Sequence, residues 1–288
     1  MFRYDFGSLP AWLRRQPQCQ PEEHLREHSK IEWTDSTWNP VTGCTKVSAG
    51  CDNCYAHTLA HGRLAAVYTR HLPVIDTPAN QADPFAVRVW EERLREPARW
   101  KDPRMIFVNS MSDLFHVDVP DAFVRKVFEV MLEIDRHIYQ VLTKRPPRAV
   151  RFFKMNRDLF PTGEVPAHIW MGTSVESQEV DYRIAHLRGL PARVRFLSCE
   201  PLIAPLDLTN RLGGINWVIA GGESGIGYRP MDPSWPAAIQ EACADQGIAF
   251  FFKQWGGRTP KSGGRTLFNQ TWDEMPDMAE NTAVPILA

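Results

Sequence analysis

The 288-residue sequence lacks long hydrophobic runs and lacks an excess of either charge. No window reaches about 18 consecutive apolar residues, so no membrane span is predicted. The net charge is −1, which removes any argument for nucleic-acid binding from overall charge and leaves only a local basic groove to consider. The first 30 residues also lack the charged-then-apolar pattern of a secretory signal, so we expect a cytoplasmic protein.

Cysteine is scarce, and half of it lies in one place. The chain has six cysteines, and three of them, Cys44, Cys51 and Cys54, fall within eleven residues. In a reducing compartment such a cluster indicates metal or redox chemistry more often than disulfides. The remaining cysteines are expected to be structural or incidental: Cys19, Cys199 and Cys243.

A regular alternation of strand-like and helix-like segments begins at about residue 104. Short apolar runs predict strands at 105–110, 137–143, 168–174, 194–199, 215–222 and 248–254. Apolar residues at helical spacing predict helices at 121–134, 146–156, 178–190 and 233–247. Repeated βα units imply a parallel sheet whose two faces are both buried.

A further strand, predicted near residues 30–33, would bring the parallel sheet to about six or seven strands. That number favours an α/β fold of the full or partial (β/α) TIM-like barrel class. A doubly wound sheet is the alternative, but no glycine-rich dinucleotide-binding fingerprint follows the first strand.

Polar residues follow every predicted strand. Ligands gather at the carboxyl ends of parallel strands. Loops are polar in most proteins, but acidic and basic ends alternate along this chain, which favours one ligand-lined mouth. The residues at these ends include Asn109, Ser110, Ser112, Asp113, His116, Thr143, Lys144, Arg145, Thr173, Ser174, Glu176, Ser198, Glu200, Gly221, Gly222, Glu223, Ser224, Lys253 and Gln254.

The cysteine spacing, C-x6-C-x2-C, leaves two kinds of metal site open. A structural zinc site normally closes with four ligands, and His57 or His61 could supply the fourth. A [4Fe–4S] cluster held by three cysteines instead leaves one iron open to a small-molecule ligand. Three unrelated buried cysteines are the third interpretation, which the glycine-rich and polar surroundings disfavour.

Several blocks together resemble a phage- and prophage-associated protein family that has a three-cysteine motif and no settled function. The blocks are IEWTDSTWNPVTGCTKVSAGCDNCYA, NSMSDLFH, VLTKRP, GTSVES, SCEPL, VIAGGESG and FFFKQWGG. That family is similar to a distant branch of the radical S-adenosylmethionine (SAM) proteins, nearest to the spore photoproduct lyase-like group. The usual radical SAM loop is C-x3-C-x2-C with an aromatic residue before the last cysteine. Here the first gap is six, and Asn53 precedes Cys54.

The resemblance implies a division of the chain and a set of cofactors. Residues 1–30 would be an N-terminal extension, 31–274 a radical SAM-type barrel domain and 275–288 a C-terminal tail. A [4Fe–4S] cluster would cleave SAM to a 5′-deoxyadenosyl radical, with an electron from a donor such as flavodoxin or ferredoxin. Zinc is the alternative metal.

The resemblance also implies residue roles. The cluster ligands, and thus the catalytic residues, would be Cys44, Cys51 and Cys54. Residues expected near SAM are Ser112, Asp113, Lys144, Ser174, Glu176, Gly221 and Gly222. Residues expected on the substrate side are Glu200, Glu223, Arg229, Lys253 and Gln254. For Glu200 and Glu223, a structural ion pair across the mouth is the alternative.

The resemblance suggests a nucleic-acid base or nucleotide as substrate, to be modified or repaired. The segment 143–157 carries six basic residues with Phe152 and Phe153 between them. This pattern can bind a nucleic-acid backbone, although an ordinary solvated helix face explains it as well. The other function class that stays open is a non-enzymatic, zinc-bearing barrel that binds nucleic acid or a protein partner. Three tryptophans are expected to pack rather than to stack on bases: Trp33, Trp38 and Trp255.

Overall fold

Strands and helices alternate along the chain in the computed structural model, which describes Ser29 and residues 31–276. The predicted N-terminal extension, including Cys19, lies outside the described residues except for Ser29. Residues 277–288 of the predicted tail lie outside them as well. Within the described part, no helix is long and apolar enough to cross a membrane.

Nine strands and eight α-helices are formed by the described residues. The strands are β1 (Ser36–Trp38), β2 (Val41–Thr42), β3 (Arg88–Val89), β4 (Met105–Val108), β5 (Ile138–Thr143), β6 (Ile169–Ser174), β7 (Arg195–Cys199), β8 (Trp217–Gly221) and β9 (Ala249–Gln254). The helices are α1 (Tyr55–His61), α2 (Ala65–Tyr68), α3 (Pro78–Ala82), α4 (Glu96–Arg99), α5 (Asp121–Glu133), α6 (Pro146–Met155), α7 (Tyr182–Arg188) and α8 (Ser234–Asp245).

Seven strands form one parallel sheet in the order β1-β4-β5-β6-β7-β8-β9. Each strand lies beside its predecessor in the sheet, so the order never reverses as it does in a doubly wound fold. Among the described residues β1 and β9 form the two edges and do not pair with each other. The predicted barrel class is therefore confirmed in its partial form, as a curled half-barrel of seven parallel strands.

The first strand does not lie where the sequence pattern placed it. Residues 31–33 form a bend and a turn, and β1 begins only at Ser36, so the strand predicted near residues 30–33 is wrong. The apolar residues of this segment have another use. The ring of Trp33 packs 4.7 Å from that of Phe107 and 6.2 Å from that of Trp217. It therefore covers the amino-terminal end of the sheet.

The two faces of the sheet differ in composition. The helix-facing side chains, such as Val141 and Leu197, join the main apolar core. On the concave face, aromatic and aliphatic residues fill the amino-terminal half: Trp33, Phe107, Trp170, Val194, Phe196, Trp217, Ile219 and Phe251. The positions nearer the carboxyl ends on the same face are small or polar: Gly172, Ser174, Ser198, Gly221 and Lys253. The concave face thus has an aromatic floor and a polar mouth.

Candidate functional site

The cysteine loop, which we define as residues 43–54, starts at the carboxyl edge of the sheet. It follows β1 and β2 in the chain. The Gly43 N–H donates to the carbonyl of Met111, 3.1 Å away in the segment after β4. The Cys44 N–H donates to the carbonyl of Phe85 at 3.1 Å. Two backbone hydrogen bonds therefore fix where the loop leaves the sheet.

Only glycine fits at position 43, where the loop leaves the sheet. Its φ is +84°, and a Cβ there would lie 2.2 Å from the carbonyl oxygen of Ala86. The segment that presses against it is organised by Arg88, which is fully buried. The Arg88 guanidinium donates to the carbonyl oxygens of five residues: His71, Asn80, Gln81, Asp83 and Ala86. A buried cation thus shapes the wall beside the first cysteine.

Cys44 lies against a cationic side chain from the end of β5. Arg145 Nη1 donates to Cys44 Sγ at 3.4 Å, and Arg145 Nη2 donates to the Thr45 carbonyl at 2.9 Å. Burial and the nearby Asp113 carboxylate raise the pKa of Cys44 to about 11, although Arg145 acts in the opposite direction. In the metal-free protein this sulfur is therefore a thiol, and Arg145 is placed to stabilise the thiolate that a metal would require.

Asp113 joins the ends of β4 and β5. Its Oδ1 accepts from the Thr143 hydroxyl at 2.8 Å and from the Phe115 N–H at 2.9 Å. Its Oδ2 accepts from the Lys144 N–H at 3.0 Å and from Arg145 Nη1 at 3.1 Å. Both oxygens of this buried carboxylate are therefore occupied by protein donors, and Asp113 reaches the cysteines through Arg145.

Glu176, just beyond β6, is buried in an ion-pair network. It pairs with Lys144 and accepts from Arg183 Nη1 at 2.8 Å. The hydroxyl of Ser48 in the cysteine loop donates to Glu176 Oε1 at 2.9 Å. Burial by itself would raise the pKa of Glu176, but Lys144 and Arg183 outweigh it and hold the pKa below its ordinary value. The carboxylate is therefore ionised at neutral pH and touches the cysteine loop directly.

Glu223, beyond β8, makes a second contact with the loop. Its Oε2 accepts from Asn53 Nδ2 at 2.8 Å and from Arg229 Nε at 2.9 Å. Arg229 in turn donates from Nη2 to the carbonyl of Ala49 at 3.0 Å. Burial opposes ionisation of Glu223, but the Arg229 and Asn53 hydrogen bonds lower its pKa below the ordinary value. The predicted substrate-side residues Glu223 and Arg229 thus hold each other and the loop.

The last strands bring the remaining predicted residues to the mouth. Glu200 forms an ion pair with Lys253, and both side chains are largely buried. This is the structural pair that the sequence left open for Glu200. Gln254 donates to the Gly222 carbonyl at 3.3 Å and to Ser224 Oγ at 2.7 Å.

Two glycines and a serine that were expected near SAM have close neighbours in the protein. A Cβ on Gly222 would lie 2.0 Å from the carbonyl oxygen of Trp255, so this glycine allows two backbone segments to pack together. A Cβ on Gly221 would lie 3.4 Å from Lys253 Cβ. The hydroxyl of Ser112 donates to the Val41 carbonyl at 2.9 Å.

Two serines lie side by side on the concave face, at the carboxyl ends of their strands. Ser174 and Ser198 are register partners in β6 and β7, and they are 3% and 2% exposed. Within residues 31–276 neither hydroxyl forms a hydrogen bond to the protein. A hydroxyl can both donate and accept a hydrogen bond, so these two groups are suited to a bound ligand or water.

His57 has neighbours other than the cysteines. Its ring stacks on His61 with centroids 4.1 Å apart and meets the edge of Phe85 at 5.3 Å. His61 Nε2 lies 3.2 Å from Asp83 Oδ1. Across the part of the chain that is described, no group of three or more His, Cys, Asp or Glu side chains has a geometry that could hold a metal ion. The stack with His61 accounts for the position of His57.

The basic segment 143–157 differs from a nucleic-acid surface. Phe152 and Phe153 are buried in the core, so they cannot stack on bases. Arg148 and Arg151 both face Asp121. Cys199 and Cys243 are buried in the helix-side core, as expected for structural cysteines.

Sequence reasoning missed the partners that join the predicted residues to the loop. Ser48 and Asn53 make these contacts, and Arg183 binds Glu176 from α7. Ser48 and Asn53 lie inside the cysteine loop, so their position was a usable signal. The sequence held no such signal for Arg183, because an arginine on a helix is most often exposed to solvent.

Comparisons with known proteins give one family and one group of solved structures. The model of the DUF5131 family, described as a protein of unknown function, matches residues 28–276. A search of the curated proteins finds no match.

Solved structures of spore photoproduct lyase are similar to this chain. Its complex with dinucleoside spore photoproduct aligns at 14% identity and a TM-score of 0.45, over 77% of this chain and 64% of that chain. A double mutant of that lyase with bound AdoMet and dinucleoside spore photoproduct aligns at 15% identity and a TM-score of 0.46, with the same coverage. The chain thus spans just under two thirds of the length of these structures.

Proposed function

The chain belongs to the DUF5131 family of proteins of unknown function, and we propose that it is a radical SAM enzyme acting on a nucleic-acid base or nucleotide. The three cysteines would hold a [4Fe–4S] cluster. One observation carries the proposal. The loop that bears all three thiols lies at the carboxyl end of a parallel half-barrel, where it contacts side chains that directly follow β5, β6 and β8.

The donor set fits such a cluster. Three half-buried thiols lie on one loop, and soft thiolates are the ligands that iron–sulfur clusters prefer. Arg145 is in hydrogen-bond contact with Cys44 Sγ and would favour its ionised form. When bound, the cluster would supply an electron for cleavage of SAM, having received it from a donor such as flavodoxin or ferredoxin.

The chain's own residues suggest where SAM would be held. Lys144 is half-buried and reaches the mouth from the end of β5, beside Ser48 of the cysteine loop. Its ammonium could meet the SAM carboxylate if it were shared with Glu176. The unpartnered hydroxyl of Ser174 lies one strand further along, and that of Ser198 follows it. These groups could donate to or accept from SAM without breaking an existing hydrogen bond.

The substrate side would lie toward β8 and β9. The Glu200–Lys253 pair faces the concave side and offers both an acceptor and a donor, which suits the edge of a nucleobase. Ile226 is 95% exposed at the tip of the loop after β8. The loop after β9 lies beside it, since the Gly225 N–H donates to the Gly257 carbonyl at 2.9 Å. Arg258 follows directly and is exposed. An apolar tip beside a cation suits a nucleic-acid strand.

The test is the metal content of protein purified without oxygen. We expect a brown protein that absorbs broadly near ~400 nm and holds about four irons per chain. After reduction with dithionite it should cleave SAM to 5′-deoxyadenosine. Cys54→Ala should lose both the iron and the cleavage. Cys243→Ala is the matched control, because Cys243 is buried against the core on α8 and should leave both unchanged.

Two results would overturn the proposal. A colourless wild-type protein with one zinc per chain would instead support the zinc-bearing barrel. An iron–sulfur protein that leaves SAM intact after reduction would contradict the SAM assignment.

A further inference from the structure

The segment from Ser48 to Asn53 is held by two acidic side chains that follow β6 and β8, two strands that are not neighbours in the sheet. We propose that Glu176 and Glu223 are positioning residues, which hold this segment and so restrict the movement of Cys51 and Cys54 in the metal-free protein. The role described here depends on the proposed function only in that the loop is taken to be a cluster site.

The contacts made by residues after β8 are with residues on both sides of Cys51 in the sequence. We call Glu223, Arg229 and Asn53 the β8 clamp. Asn53 Nδ2 donates to Glu223 and also to the carbonyl of Gly227, at 2.8 Å and 3.0 Å. Arg229 donates to Ala49, on the other side of Cys51. The clamp therefore holds the backbone carbonyl two residues before Cys51 and the side chain two residues after it.

The contact made by Glu176, which follows β6, holds the first part of the same segment. We call Glu176, Ser48 and Gly50 the β6 clamp. Besides the Ser48 hydrogen bond, the backbone of Gly50 lies close to the Glu176 side chain. A Cβ on Gly50 would be 2.4 Å from Glu176 Oε1. A larger residue at position 50 would push the Glu176 side chain away from its present place, so the loop is fitted to this carboxylate.

The acidic residue of each clamp is paired with at least one cationic side chain of the protein. Glu176 is neutralised by Lys144 and Arg183, and Glu223 by Arg229. Both carboxylates are buried, at 1% and 4% exposure. A buried carboxylate with its charge already matched has little to gain from a further cation. The internal pairing therefore favours a role in holding the loop over direct recognition of a ligand amine.

Cys44 does not depend on the clamps. It is held by Arg145 and by the backbone of Phe85, which belong to other parts of the chain. Loss of the β8 clamp should therefore loosen Cys51 and Cys54 while Cys44 stays as it is. A general loss of stability would instead affect all three thiols and the buried Cys199.

The test measures the alkylation rate of each cysteine in metal-free protein by peptide mass spectrometry. Asn53→Ala and Arg229→Met each remove one arm of the β8 clamp. We expect Cys51 and Cys54 to react about tenfold faster in both variants, because charge-assisted hydrogen bonds limit how often the segment opens. Cys44 should react at the wild-type rate. Arg193→Met is the matched control, since Arg193 pairs with the exposed Glu164 away from the loop.

A second variant tests the β6 clamp. Gly50→Ala places a methyl group on Glu176 and should accelerate Cys51 by a similar factor. Unchanged rates at Cys51 and Cys54 in all three clamp variants would overturn the proposal, as would equal acceleration of Cys44 and Cys199. Because the protein is metal-free, these outcomes do not depend on whether it binds iron or zinc, so a failed cluster assignment would be recognised separately.

Discussion

Replacing Arg183 with methionine should lower the free energy of unfolding, because it removes one cation from the buried ion-pair network of Glu176. Arg183 and Glu176 are each 1% exposed and 2.8 Å apart, and Arg183 also donates to the Ser174 carbonyl. Methionine keeps much of the volume and removes the charge. Glu176 would keep Lys144, which is 21% exposed and therefore partly solvated.

The expected loss is about 3 kcal/mol of unfolding free energy. Removing one partner of a buried ion pair costs about 3–5 kcal/mol. The lower end applies because Lys144 stays in place. In addition, the wild-type Arg183 Nε is buried without a hydrogen-bond partner among the described residues, and that cost disappears with the guanidinium. For a chain of this size the loss corresponds to a fall of about 6–12 °C in Tm.

Urea titration of metal-free protein at pH 7 would measure the change, with Arg193→Met as control. The exposed Arg193–Glu164 pair should contribute less than about 1 kcal/mol. A loss below about 1 kcal/mol for Arg183→Met would refute the view that this network holds the mouth together.

The same network should make stability depend on pH. The pKa of Glu176 is lowered in the folded protein, so the unfolded chain binds its proton first as the pH falls. Its contribution is fully present above the ordinary pKa of 4.5 and is lost as the pH falls through the lower folded value. Glu176→Gln should therefore flatten the decline in stability below about pH 4.5.

Two further predictions concern the loop and the mouth. Gly43→Ala should destabilise the protein by more than Gly163→Ala in urea titration. Both glycines have left-handed φ angles, but only Gly43 faces a clash, with Ala86; equal losses would show that φ alone matters. Arg258→Ala should weaken binding of a fluorescent single-stranded oligonucleotide by severalfold and reduce its salt dependence. Lys154→Ala, which removes an exposed cation on α6, should not; equal effects would indicate non-specific attraction.

The strands and helices after residue 104 were largely predictable because their signal is local. Buried parallel strands are continuous apolar runs, and helices repeat every 3.6 residues. The prediction of a strand near residues 30–33 was wrong because the local signal is ambiguous there. An apolar segment that closes the floor of a half-barrel looks the same, in sequence, as one that pairs in the sheet. Trp33 is buried either way, and only its contacts with Phe107 and Trp217 distinguish the two.

The cysteine cluster and the polar strand ends were also visible in the sequence, because spacing and residue type lie along one dimension. Which strand end holds which part of the loop was not visible. Ser48 contacts Glu176, which is 128 residues away in the sequence, and Asn53 contacts Glu223, which is 170 residues away. Those pairings depend on how the sheet curls and where the loop crosses its mouth, so only the tertiary structure decided that these two acids hold the loop.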